Sequence, residues 1–79
     1  MLPVQSKMAR AALGLGVREL AARAGVSPDT VARLERGEEL KASTVASIRA
    51  ALERAGAVFI EADGDGPGVR LKGGRTPLD

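Results

Sequence analysis

Without a histidine or a cysteine, this 79-residue chain has only serine, lysine, arginine, aspartate and glutamate from which to build a catalytic constellation. That removes the commonest general base and metal ligand, the thiolate nucleophile and any disulfide framework. No nucleophile stands at motif spacing from a base, so an enzyme is not expected. Asp63-Gly64-Asp65-Gly66 briefly resembles a calcium loop, but Pro67 falls where the fifth-place ligand belongs and Gly74 where the bidentate glutamate belongs. The same glycines could suggest a phosphate cradle, yet no helix start follows them. Turn chemistry explains them, and neither a metal nor a cofactor is expected. What remains is recognition through hydrogen bonds and charge. Residues 1–56 carry nine basic and six acidic side chains, a balance of +3, whereas residues 57–79 carry three and four, a balance of −1. The asymmetry agrees with a nucleic-acid face on the first part of the chain.

The stretch that must position such a face is residues 17–36, VRELAARAGVSPDTVARLER, which reads as helix, tight turn, helix. Leu20, Ala21, Ala24, Val26, Val31 and Leu34 fall where two short helices crossing steeply need apolar or small side chains. Gly25 sits at the crossing, where a positive φ would cost a residue with a Cβ about 1 kcal/mol or more. Ser27 is the expected N-cap of the second helix, Pro28 supplies a preset φ, and Asp29 suits the positive end of the dipole. Gly37 is the expected C′ residue.

These residues resemble the helix-turn-helix of the lambda-repressor/Cro-like (XRE) class, with Ala21, Gly25, Val26, Val31 and Leu34 at matching places and the ending Val31-Ala32-Arg33-Leu34-Glu35-Arg36-Gly37. The resemblance covers roughly residues 4–55. It implies a mainly α fold: a four-helix lambda-repressor-like DNA-binding domain, here with a C-terminal β-hairpin. In that fold the second helix of the motif enters the major groove, which nominates Ser27, Pro28, Asp29, Thr30, Ala32 and Arg33 for base readout. The planar fork of Arg33 matches guanine O6 and N7; a phosphate contact is its alternative. Asp29 or Ser27 could accept from cytosine N4, although Asp29 has an equal structural use at the dipole. Pro28 and Ala32 offer only apolar contact, so groove shape would carry part of the specificity. Arg18, Arg36 and Lys41 are the expected phosphate contacts, while Lys7 and Arg23 read equally well as solvated charges. The resemblance also implies a structural ion pair between Arg10 and Glu35, worth about 3–5 kcal/mol if partly buried and broken from one side.

Ahead of the motif, Val4, Met8, Ala11, Ala12 and Leu13 recur with a period near 3.6 from Pro3 onwards, predicting helix one and its apolar face. Gly14-Leu15-Gly16 stops it, with Leu15 expected in the core. Beyond the motif, Glu38 and Glu39 are expected to face solvent away from DNA. Ser43 is the expected N-cap of a fourth helix over residues 44–55 with Val45, Ile48, Ala51, Leu52 and Ala55 as its stripe. From Ala57 the period changes, and AVFIE and VRLK read as a hairpin. Its first strand is apolar on both faces, and an isolated hairpin is only marginally stable. Pairing with a second copy through Val58, Phe59, Ile60, Val69 and Leu71 is therefore expected. A small core supplies only about 3–5 kcal/mol, which also favours oligomerisation; the apolar content rests on fourteen alanines.

The expected organisation is thus a DNA-binding unit over residues 1–56, a dimerisation hairpin over 57–72 and a flexible tail over 73–79, where Arg75 could add electrostatic attraction. Residues 11–17, the longest apolar stretch, are too few for a membrane span, and no signal-peptide pattern opens the chain. The functional expectation is a cytoplasmic, nucleoid-associated homodimer that binds a double-stranded inverted-repeat operator, acting as a transcriptional repressor. The competing expectation is an antitoxin-like or partner-binding protein whose DNA binding is autoregulatory.

Overall fold

Proline at the first helical position and glycine just past the last set the ends of the first helix, α1 (Pro3–Leu13). The computed structural model describes residues 1–74; residues 75–79 of the expected tail, Arg75 among them, lie outside the described residues. Gly14 takes φ +69° and turns the chain towards α2 (Val17–Ala24). Gly25, at φ +71°, lets the Val26 N–H bond back to the Ala21 carbonyl at 3.0 Å before α3 (Pro28–Glu35) begins. An added Cβ at Gly25 would meet nothing within 4 Å. The glycine is there for its dihedral, not for space. After α4 (Ala42–Arg54), β1 (Ala57–Ile60) and β2 (Gly68–Leu71) form an antiparallel hairpin pairing Ala57 with Leu71 and Ile60 with Gly68. Lys72–Gly74 form a final 3₁₀ turn.

The protein is mainly α, with four helices and a small C-terminal hairpin. Its core joins Leu20 and Ala21 of α2, Val31 and Leu34 of α3, Ile48, Ala51 and Leu52 of α4, Ala9 of α1 and Ala57 of β1. Leu15 is half-buried and packs against this cluster, as does Val45.

Two expectations about the helices are corrected. The buried face of α1 is Gln5, Ser6 and Ala9, whereas Val4 is 46% exposed and Ala11 is exposed. Hydropathy alone ranks glutamine and serine outside, but both find every partner they need. Gln5 accepts the Leu2 N–H at 2.8 Å and donates to the Ile60 and Gly68 carbonyls at 3.0 and 3.2 Å. It thereby ties α1 to both strands of the hairpin. Ser6 donates to the Glu35 carboxylate at 2.7 Å. Among the described residues no buried side-chain nitrogen or oxygen lacks a partner, so the desolvation cost of burying these groups is met. The second correction concerns α4, which starts at Ala42 with Lys41 at the N-cap position. Ser43 lies inside the first turn, and the Lys41 carbonyl already accepts the Thr44 and Val45 N–H groups.

In the hairpin, side chains directly opposite share a face. Ala57, Phe59, Val69 and Leu71 form one face, and Phe59 and Val69 pack on the core. Arg49 of α4 lies over the Phe59 ring, 5.0 Å from its centroid, and bonds Glu53 at 3.3 Å. The opposite face carries Val58, Ile60 and Arg70, with Val58 and Ile60 half-buried. At the turn, Asp63 accepts the Asp65 N–H on its carboxylate at 2.8 Å and the Gly66 N–H on its carbonyl at 3.0 Å, which is local turn chemistry.

Candidate nucleic-acid interface

Helix α3 is held at both ends by its own sequence. At its start, Ser27 Oγ accepts the Thr30 N–H at 3.1 Å and lies 2.8 Å from Thr30 Oγ1. The cap satisfies one of the free N–H groups of the first turn. At its end, the Gly37 N–H bonds the Leu34 carbonyl and the Glu38 N–H bonds the Arg33 carbonyl, each at 3.0 Å, with Gly37 at φ +87°. This is a Schellman closure. Two turns of helix are thus fixed in length and seated on α2 by Val31 and Leu34.

Their seating is reinforced from beneath by the polar cluster of α1. Arg10 Nη2 lies 2.6 Å from Glu35 Oε1, and its Nε donates to Glu35 Oε2 at 2.8 Å. Arg10 Nη1 also donates to the Leu15 carbonyl at 3.2 Å, which joins the turn before α2 to the same guanidinium. The side chains of Arg10 and Glu35 are 21% and 6% exposed. Burial pushes the Glu35 carboxyl upward, but hydrogen bonds from Arg10 and Ser6, with the charges of Arg10 and Lys7, outweigh it and hold it below the usual carboxylate range. The hydrogen bond to Glu35 raises Arg10 further against the lowering effect of burial. One bidentate pair plus a serine therefore clamps the end of α3 to α1 and to the turn that opens α2.

On the outward side, Ser27, Pro28 and Asp29 are exposed and Thr30, Ala32 and Arg33 are half-buried. Helical spacing puts Asp29 in line with Arg33, and Pro28 with Ala32 and Arg36. Ser27, Thr30 and Arg33 stand on one wall of a groove of about 440 Å³, faced by Leu40, Lys41 and Thr44 from the loop and the start of α4. Four of the nominated residues, Ser27, Thr30, Arg33 and Lys41, thus meet around one hollow. Arg18 is exposed near the start of α2, outside the lining of that groove.

One expectation about this surface changes. Glu38 does not stand apart from the nominated residues: its Oε1 accepts from Arg33 Nε at 3.1 Å, and its Oε2 accepts from Arg36 Nε and Nη2 at 3.0 and 2.7 Å. Hydrogen bonds from Arg36 and then Arg33 hold the Glu38 carboxyl below its ordinary range. Glu39 also lines the groove. Sequence reading did not assign Glu38 a role at the surface, nor Ser6 and Gln5 theirs beneath it. The signal for Glu38 was the order Arg33, Arg36, Gly37, Glu38, because a Schellman turn brings the second residue after the cap back beside the third residue before it.

Residues 7–58 match the model of a family described as a helix-turn-helix domain. The chain belongs to the helix-turn-helix domain family. The match covers α2 and α3 entirely, begins within α1 and ends in β1, so most of the hairpin lies beyond it. A helix-turn-helix domain is a DNA-binding unit. No curated protein matches the chain. Among the described residues, no helix is long and apolar enough to cross a membrane.

Proposed function

We propose that this helix-turn-helix protein is a sequence-specific, double-stranded DNA-binding transcriptional regulator of the lambda-repressor-like class, a repressor that occupies an inverted-repeat operator as a homodimer. The observation that carries the reading is the short, doubly capped α3 with Arg33 beside a groove edged by Lys41. In this reading α3 enters the major groove, Arg33 reads guanine, and Ser27, Pro28, Asp29, Thr30 and Ala32 shape contact with neighbouring base edges. Arg18, Arg36 and Lys41 engage phosphates and fix the register.

Dimerisation follows from the operator proposed: the described residues extend 31 Å along their longest axis, whereas half-sites one helical turn apart lie about 34 Å from each other, so reading both takes two copies. With Phe59 and Val69 engaged in their own core, the Val58 and Ile60 face is the part of the hairpin we assign to the partner copy.

The test is selection of bound sequences from a random duplex pool, with the mass of the protein in solution recorded alongside. A palindromic consensus and a dimeric mass are expected. A folded protein that enriches no sequence would instead direct attention to a protein partner and to autoregulatory binding.

A further inference from the structure

Arg33, the residue with the most specific recognition chemistry in the proposed reading, is already held by the chain's own carboxylate. The Schellman closure delivers Glu38 to the side of the last turn of α3 through its backbone bond to Arg33. Its two oxygens then divide between two arginines: Oε1 takes Arg33 through Nε, and Oε2 takes Arg36 through Nε and Nη2. Because Arg33 uses only Nε, its Nη1 and Nη2 have no side-chain or backbone partner among the described residues. Those two nitrogens form the outer edge of the fork, and the Arg33 side chain is 42% exposed. An end-on pair of donors is what guanine O6 and N7 accept.

We propose that Glu38 is a positioning and specificity-setting residue of the DNA-reading surface, which orients the Arg33 fork and cancels one of the two positive charges at the end of α3. The proposal rests on the DNA-reading function above. Its first effect is entropic. A guanidinium already restrained at Nε has less rotamer freedom to lose when it meets a base. The second effect is electrostatic: non-specific affinity grows with the number of phosphates that free cations can neutralise. One carboxylate shared between Arg33 and Arg36 lowers that grip on every sequence and leaves the base-reading edge open. The first effect raises the ratio of specific to non-specific binding, the quantity that matters against a genome of competing sites, whereas the second weakens binding to every sequence alike.

The experiment compares full-length wild type, Glu38→Gln, Arg33→Ala and the double variant on the selected duplex and on a scrambled duplex of equal length, over a series of potassium chloride concentrations. Thermal melting verifies the fold. Glu38→Gln is expected to bind the scrambled duplex more tightly, with a slope of log K against log salt steeper by about one. Its specific-to-non-specific ratio should fall roughly three- to tenfold. In the Arg33→Ala background, Glu38→Gln should cause no further loss of base preference, while the steeper slope persists through Arg36. An unchanged slope and an unchanged ratio in a folded Glu38→Gln protein overturn the proposal. A wild type that does not separate the two duplexes overturns the sequence-reading function itself, and the specificity role of Glu38 with it.

Discussion

At the scale of single residues, the two arginines that matter most differ in how they are held. Arg10 is fixed by Glu35 and the Leu15 carbonyl in a partly buried site, so its energy goes into the fold. Arg33 is held at one nitrogen and open at two. Arg33→Ala should relax base preference at one position per half-site at a cost of about 1–3 kcal/mol; equal weakening on every sequence, measured by binding to single-base variants of the consensus, would reduce it to a phosphate contact. Glu35 makes a prediction in pH. Its carboxyl lies lower in the folded protein than the ordinary glutamate value, held down by the hydrogen bonds from Arg10 and Ser6 against the opposing effect of burial. The stability it contributes is present above that ordinary value and is lost as pH falls through the lower folded one. Glu35→Gln should therefore be less stable than wild type near neutrality, by about 3 kcal/mol, the lower end for a broken buried pair because Arg10 stays one-fifth exposed. That gap should narrow as the medium is acidified below the ordinary glutamate range and the Glu35 carboxylate is protonated. A gap that stays constant across the melting series would mean that the pair is not the source.

At the scale of elements, the unexpected joint is between α1 and the hairpin. Gln5 donates to carbonyls on both strands from inside the interface, so the hairpin is docked by hydrogen bonds as well as by Phe59 and Val69. Gln5→Ala should cost about 1–3 kcal/mol, since two carbonyls are left short of a donor. The loss should fall on the hairpin first. Amide exchange should accelerate at Val58, Ile60 and Arg70 before it does in α2 and α3, whereas uniform acceleration would show that hairpin and helices open as one unit.

At the scale of the whole molecule, nine buried apolar residues among those described, four of them alanines, make a thin core. A core of this size stabilises by only about 3–5 kcal/mol, and association of two copies would add to it. Val58→Asp is the variant suited to test that, because Val58 lies on the hairpin face opposite Phe59. Sedimentation should shift from dimer towards monomer with the helices intact, and affinity for the inverted repeat should drop far more than affinity for a single half-site. A mass that does not change would remove this face from the interface.

The order of elements could be read from the chain because it depends on local chemistry. Pro3, Gly14, Gly25, Ser27, Pro28 and Gly37 mark starts and stops by dihedral and capping preferences that need no distant partner. The change of period at Ala57 marked the hairpin in the same way. Part of the candidate site was equally legible, since the groove-facing positions of a capped helix follow from its register. What the sequence could not settle was the fate of polar side chains. Whether Gln5 and Ser6 lie inside, and whether Glu38 turns towards Arg33 and Arg36 or away, depends on which groups stand opposite once the helices have docked. Hydropathy assigns a residue a cost for leaving water, but the partner that offsets that cost comes from elsewhere in the chain, from Ile60, Gly68 and Glu35 in the cases of Gln5 and Ser6. The helix boundaries were local facts and the pairing of Arg10 with Glu35 was implied by the resemblance, whereas the burial of Ser6 and Gln5 against their partners was decided only by tertiary structure.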